Sequence, residues 1–151
     1  MTVPSTIIAG GNGDYKEAVP AAAFSPGHLL EETSAGKFQK NSSSGGRCEA
    51  LVAIENDLEG EGVSDAYATT DRARAFIPYP GAKCNMKIAN GENIAIGDKL
   101  CSNGNGELRE VKTDSSGTII EDWPLAVSEE AVDMSGSSAA DPDGWCRVRF
   151  L

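Results

Sequence analysis

Apolar and polar side chains alternate strictly over residues 82–88, AKCNMKI, and this pattern constrains the fold more than any other feature. Apolar residues occupy every second position from Ala82 to Ile88, with polar residues between them. Successive side chains of a β-strand point to opposite faces, so the segment predicts a half-buried strand. Residues 146–150, CRVRF, repeat the alternation. They predict a second strand that closes a sheet.

Turn-forming residues separate the remaining apolar segments into short pieces. The chain has 17 glycines and 7 prolines but only 6% aromatic residues, which favours many short strands over long helices. Residues 48–54 and 72–77 have strand length, and Pro78 and Pro80 predict a sheet edge or corner after the second. We therefore expect a mainly β fold, either a small β-barrel or a β-sandwich of short strands.

The segment Asn103-Gly104-Asn105-Gly106 lies between two further strand-like pieces. Asparagine and glycine tolerate the left-handed backbone conformation that tight turns require, so NGNG predicts a hairpin. A phosphate-binding loop would instead lead into a helix and end in a GK[ST] sequence. Neither feature follows Gly106.

Residues 1–46 show few sustained apolar patterns and are rich in proline, glycine and serine. The sequence predicts an extended N-terminal arm over residues 1–23 and a single β-rich domain over residues 24–151. Within that domain we expect a small ordered piece at residues 25–40. The core strands are expected to begin only near Arg47.

The formal net charge is −10, and the acidic residues are scattered without forming a tail. A surface of this average charge repels nucleic acid, so we expect no nucleic-acid partner. No apolar run of about 18 residues predicts a membrane span, and no N-terminal leader pattern is evident. We expect a protein made in the cytoplasm, with Cys48, Cys84, Cys101 and Cys146 as free thiols, because their spacing contains no CxxC pair.

Catalytic and metal-binding patterns are weak. His28 is the only histidine and lies in a Pro-Gly turn, where a polar turn residue is the simpler interpretation. Of the acidic pairs, Asp141 and Asp143 come nearest to a Ca²⁺ loop but lack the order of ligands in an EF-hand. We expect no enzymatic activity, no catalytic residues, no cofactor and no metal.

Lys87 raises an alternative function. Biotin-carrier domains present a modified lysine in an AMKM turn, and this chain has NMKI at residues 85–88, followed by IGDKL at 96–100. A small carrier or ligand-binding barrel would use Lys87 or the NGNG loop. The strict alternation around Lys87 argues against this hypothesis, because a modified lysine must project from a hairpin tip.

The order of several longer segments resembles a family of tailed-bacteriophage head proteins, the capsid decoration or structural cement proteins. The segments that carry the resemblance are PGHLLEE (26–32), GKF (36–38), AIENDLEG (53–60), VSDAY (63–67) and GENIAIGDKLCSNGNGEL (91–108). The similarity spans most of residues 24–151, whereas residues 1–23 do not match the family pattern.

This resemblance implies a structural protein of the virion that binds the exterior of the mature capsid and stabilises it against internal DNA pressure. Its partners would be the major capsid protein and two further copies of itself in a homotrimer. The residues expected to contact the capsid or a neighbouring subunit are Val3, Ile7, Ile8, Tyr15, His28, Leu29 and Leu30.

Overall fold

The computed structural model describes residues 2–151, and within them the chain is almost entirely β. Its one helical piece there is a short 3₁₀ turn at Asp57–Glu59. The strands are β1 (Ile8–Gly10), β2 (Gly13–Ala18), β3 (Leu30–Glu32), β4 (Phe38–Lys40), β5 (Val52–Ala53), β6 (Ala73–Pro78), β7 (Lys83–Ile88), β8 (Asn93–Ile94), β9 (Lys99–Ser102), β10 (Leu108–Glu110), β11 (Ala126–Ser128), β12 (Val132–Asp133) and β13 (Gly144–Phe150). The predicted mainly β fold is confirmed.

Five strands close into a small barrel in the order β7-β10-β9-β11-β13, with β13 returning to pair with β7. The β7–β13 ladder is antiparallel and the longest in the barrel, running from Gly144 opposite Ile88 to Arg149 opposite Lys83. Strand β10 joins the other edge of β7 in parallel, through Leu108 and Ile88. Closure leaves these strands without a free edge along most of their length.

Strands β7 and β13 show the alternation that the sequence predicts. In β7 the side chains of Cys84, Met86 and Ile88 are buried, and the intervening residues are partly exposed. In β13 the side chains of Val148 and Phe150 are buried. Both strands therefore present one face to the barrel interior, as period-two patterning requires.

A second sheet, β2-β6-β5, divides the interior into two apolar clusters. Adjacent residues of β5 point in opposite directions, so that Val52 packs in the barrel cluster and Ala53 in the second cluster. Leu29 and Leu30 are divided between the two clusters in the same way. Of the edge or corner predicted after residues 72–77, the edge is wrong, because β6 is the central strand of this sheet. Pro78 lies at the end of β6, opposite Gly13.

The N-terminal residues contribute to the core, which corrects the expectation that core strands begin near Arg47. Strand β1 pairs with β7, and β2 pairs along its whole length with β6. Ile7 is fully buried in the barrel cluster, and its backbone N–H donates to the Glu55 carboxylate at 3.1 Å. Residues 8–10 and 13–18 do adopt extended backbone, but as sheet strands rather than as a separate arm.

A partly buried ion pair connects β10 to the segment before β11. The Arg109 guanidinium donates to both carboxylate oxygens of Asp122, at 2.7 and 2.9 Å. The Asp122 side chain is only 7% exposed and also accepts the backbone N–H of Lys112. The hydrogen bonds from Arg109 lower the pKa of Asp122 to about 2.

The four cysteines are free thiols, as the sequence predicts. Cys84, Cys101 and Cys146 are buried, and Cys48 is half-buried. Burial raises the pKa of Cys84 and that of Cys101 to about 12. Because the thiolate is the reactive form, these two side chains are inert core residues.

The burial of Ile7 generates a prediction about the N-terminal strands. Replacing Ile7 with Ala should lower the free energy of unfolding by about 2–5 kcal/mol, because the side chain leaves a cavity in the barrel cluster. A chain starting at Ala21 should lose more, since it lacks β1 and β2. Urea unfolding followed by tryptophan fluorescence measures both. Val3→Ala is the control and should change little, because Val3 is 52% exposed.

The Arg109–Asp122 pair generates a second prediction. Asp122→Asn should lower the free energy of unfolding by about 3 kcal/mol at pH 7, because it leaves the largely buried guanidinium without its counter-charge. Since the folded-state pKa of Asp122 lies below the ordinary 3.8, the pair's contribution is complete above pH 3.8. It should be lost as the pH falls from there towards 2.

Unfolding curves of the parent and variant, recorded between pH 7 and pH 2.5, test this dependence. The difference between them should shrink below pH 4. Glu17→Gln is the matched control, because the Arg72–Glu17 pair is solvent-exposed and should contribute less than about 1 kcal/mol. Equal losses for Asp122→Asn and Glu17→Gln would contradict the assignment.

Candidate functional site

Three loops that are distant in sequence meet at one end of the barrel. The first is the turn before β3, which carries His28, and the second is the NGNG loop between β9 and β10, which ends in Glu107. The third leads into β13 and carries Asp143. One potential ligand atom from each of these three side chains lies within 4.8 Å of the other two. We call these residues, together with Lys87, the polar cluster.

His28 is a buried residue rather than the exposed turn residue that the sequence predicts. The residue is only 4% exposed. Its Nδ1 atom lies 3.0 Å from the Ser25 nitrogen and 3.1 Å from the Ser25 carbonyl oxygen. Within residues 2–151, Nε2 is buried and has no hydrogen-bond partner. Burial, followed by the charges of Lys87 and Lys40, lowers the pKa of His28 to about 4. The imidazole is therefore neutral at pH 7.

The two carboxylates of the polar cluster are held by different partners. The Asn103 side-chain amide donates to Glu107 at 2.9 Å, and the Lys87 ammonium lies 3.2 Å from Asp143. Burial raises the pKa of Glu107, and the nearby charge of Asp143 adds to this rise. Two acidic groups therefore lie close together beside a buried imidazole, a combination that favours the presence of a cation.

Lys87 is less exposed than its place on the polar face of β7 predicts. Its side chain is 14% exposed, and its Nζ atom lies 5.4 Å from the centre of the Trp145 ring as well as beside Asp143. Trp145 is the residue opposite Lys87 in the β7–β13 ladder. This position within a strand differs from the hairpin tip that a carrier lysine requires.

The NGNG loop forms the predicted hairpin, with Ser102 paired to Leu108 across its base. Left-handed backbone occurs at Gly104 and Gly106 and not at the asparagines. The Asn103 side-chain oxygen accepts the backbone N–H groups of Asn105 and Glu107. The N–H groups of Gly104 and Gly106 donate to the Ser102 hydroxyl and the Asn41 carbonyl. The loop amides are thus engaged internally, unlike those of a phosphate cradle.

A surface groove adjoins the polar cluster. It has a volume of about 560 Å³, and Lys87 and Asp143 are among its lining residues. Val3, Val63, Met134 and Trp145 supply its apolar lining. A second depression, of about 720 Å³, shares Val3, Met134 and Trp145 with the first. The N-terminal residues Thr2, Val3 and Pro4 contribute to its lining.

The structure separates the residues that the sequence nominated for capsid or subunit contact. Val3 and Tyr15 are 52% and 61% exposed, and Ile8 is half-buried. The other nominated residues are buried in this chain and cannot present their side chains to a partner without a change of structure; they are Ile7, His28, Leu29 and Leu30. The apolar character of Ile7, Leu29 and Leu30 reflects core packing, which sequence pattern alone does not distinguish from surface contact.

Sequence reasoning did not single out Glu107 or connect Asp143 with His28. It also passed over several large apolar side chains that the structure leaves exposed, namely Leu58, Tyr79, Ile96, Ile120 and Trp123. Glu107 offered one signal, because it follows directly after the NGNG turn. No local pattern relates it to His28, which lies 79 positions earlier.

No protein-family model matches this sequence, and no curated protein matches it either. Within the described residues there is no helix of the length and apolar character needed to cross a membrane.

The close approach of the NGNG loop to His28 generates a prediction. A Cβ atom added at Gly106 would lie 2.9 Å from Lys40 Cγ and 3.3 Å from His28 Cδ2, and the residue has φ +76°. Gly106→Ala should therefore destabilise the fold through both backbone strain and crowding. Gly117→Ala is the matched control, because Gly117 has φ +82° but no atom within 4 Å of an added Cβ.

Thermal and urea unfolding of the two variants separate the cost of backbone strain from the cost of crowding. Gly117→Ala should cost about 1 kcal/mol from its backbone conformation alone. Gly106→Ala should cost at least about 1 kcal/mol more, because the Lys40 side chain must move. Equal costs would mean that the loop does not pack tightly on the polar cluster.

Proposed function

We propose that this protein is a capsid decoration protein that binds the exterior of a tailed-bacteriophage capsid and stabilises the shell. The observation that carries the proposal is the order of segments between residues 26 and 108, which resembles that of the decoration family. The β-barrel is consistent with this role, because it supplies a rigid support from which loops and an N-terminal segment can contact a neighbour.

The N-terminal residues supply the proposed contact surface. Strand β2 lies at the edge of its sheet, and residues 14–17 are exposed on both of its faces. Tyr15 covers Phe76 with one side of its ring, at a centroid distance of 5.5 Å, and leaves the rest of the side chain in solvent. Exposed aromatic residues are enriched where proteins contact one another. We infer that Val3 and Tyr15 contact the capsid or a neighbouring subunit.

The mechanism is multivalent attachment. A homotrimer that contacts several capsid subunits makes each further contact effectively intramolecular, so that weak individual contacts sum to tight binding. Binding that is selective for the mature lattice stabilises that lattice by mass action. The major capsid protein and two further copies of this chain are the proposed partners, and no chemical step is required.

The charge of the chain suits the outside of a virion. A net charge of −10 favours solubility and gives no attraction to packaged DNA. We propose that the protein is made in the cytoplasm of the host and acts on the exterior of the capsid.

The proposed function predicts that decorated capsids retain their DNA to a higher temperature than undecorated capsids of the same phage. The gain should grow with protein concentration around the dissociation constant and then saturate. DNA release followed by a membrane-impermeant fluorescent dye during heating measures this. Identical release temperatures for decorated and undecorated particles would overturn the proposal.

A pair of variants tests the contact surface. Val3→Asp should reduce capsid binding roughly tenfold or more, because it places a charge in an apolar contact. Ile120→Asp is the matched control, since Ile120 is similarly exposed at 60% but is not one of the two proposed contact residues. Cosedimentation with capsids measures binding, and light scattering of the free protein tests for three times the 15.8 kDa chain mass.

A further inference from the structure

We propose that His28, Glu107 and Asp143 form a binding site for a divalent transition-metal ion of the Zn²⁺ class. This inference is independent of the capsid proposal, because it rests on three side chains at one end of the barrel. It also differs from the expectation drawn from the sequence, in which no metal site was foreseen.

The first argument is the convergence of potential ligands. One ligand atom from each residue lies within 4.8 Å of the other two. Ligand atoms of a tetrahedral zinc site are separated by about 3.4 Å, given metal–ligand bonds of about 2.0–2.2 Å. Side-chain rotations that move each atom by about 1 Å would bring the three to bonding distance. The Glu107 and Asp143 side chains are only partly buried, which leaves them room to make such movements.

The second and independent argument is the His28 Nε2 atom, which has no hydrogen-bond partner within residues 2–151. A buried polar atom without a hydrogen bond costs about 1–3 kcal/mol, so it requires an explanation. Nδ1 lies 3.0 Å from the Ser25 nitrogen, whose N–H can donate to it, and 3.1 Å from the Ser25 carbonyl oxygen, to which an Nδ1–H group can donate. Metal binding selects the second arrangement, because a proton on Nδ1 leaves a lone pair on Nε2, which is buried and has no partner among the described residues. A carbonyl that accepts from the second ring nitrogen is the usual support for a metal-bound histidine.

The third argument concerns Lys87, whose ammonium group now supplies the positive charge beside Asp143 at 3.2 Å. An ammonium and a metal ion beside the same Asp143 carboxylate would repel each other. Lys87 also lines the groove and lies near the Trp145 ring, so its flexible side chain can move into the groove. The ammonium is therefore a competitor for the metal, and its removal should strengthen metal binding.

The donor set indicates the class of ion. One imidazole and two carboxylates suit Zn²⁺ and neighbouring first-row ions, whereas Ca²⁺ and Mg²⁺ prefer oxygen ligands alone and more of them. The three residues come from three loops, so a bound ion would connect the β3 turn, the NGNG hairpin and the start of β13. Such a link would stabilise the folded chain in proportion to the free metal concentration.

The test is calorimetric titration of the full chain, purified without a histidine tag, with ZnCl₂ at pH 7. We expect saturable binding of one ion per chain and a rise in the melting temperature. Asp143→Asn and His28→Gln should each weaken binding at least about tenfold, because each removes one ligand. Lys87→Met, which keeps most of the length of the side chain without its charge, should tighten binding by a similar factor. Titration with MgCl₂ should give much weaker binding.

Two controls distinguish this site from others on the molecule. Glu121→Gln removes an exposed carboxylate elsewhere and should leave the affinity unchanged. Cys48→Ser tests whether the half-buried thiol binds the ion instead, and it should also have no effect. Circular dichroism checks the fold of each variant. Asp143→Asn provides the decisive comparison if His28→Gln does not fold, because Asp143 lies in a partly exposed loop.

The absence of saturable Zn²⁺ binding to the parent chain would overturn the proposal. So would binding that Asp143→Asn leaves unchanged, or that Cys48→Ser abolishes. Capsid attachment is measured separately by cosedimentation, with and without a chelator. A failed metal titration would therefore leave the proposed function standing, and a failed capsid assay would leave the metal site standing.

Discussion

The antiparallel pairing of β7 with β13 is the interaction on which the rest of the structure depends. It joins a strand in the middle of the chain to the last strand, and so turns an open sheet into a closed barrel. In this register the apolar faces of both strands point inward together, and a shift by one residue would expose one of those faces. The barrel cluster and the ladder therefore stabilise each other.

The same register also brings together the residues of the polar cluster at one end of the barrel. It places Trp145 opposite Lys87, and the preceding loop brings Asp143 to the lysine ammonium. The parallel contact between β10 and the end of β7 adds Glu107 from the NGNG hairpin. His28 completes the polar cluster because its loop is hydrogen-bonded to both Gly106 and Ala53. Closure of the barrel is thus a physical requirement for this cluster as well as for the core.

Pairing with distant strands explains why the sequence pattern of the N-terminal residues does not reveal their place in the core. Strands β1 and β2 have weak patterns of their own, since most of β2 is exposed on both faces. They are ordered by pairing with β7 and β6, whose positions the rest of the chain determines. Ile7 then fills a place in the barrel cluster that no local sequence signal indicates. Pairing with other strands, rather than intrinsic strand propensity, therefore determines the structure of β1 and β2, as is common for strands.

Sequence alone determined the features that depend on neighbouring residues: the buried face of β7, the closing strand β13 and the hairpin at NGNG. Period-two patterning and turn chemistry are local, so a single sequence is enough to read them. Only the tertiary structure decided which strands pair and what surrounds His28. The three proposed ligands are separated by 79 and 36 positions, and nothing in the local pattern around any one of them refers to the others. Their proximity follows from barrel closure, which is a property of the whole chain.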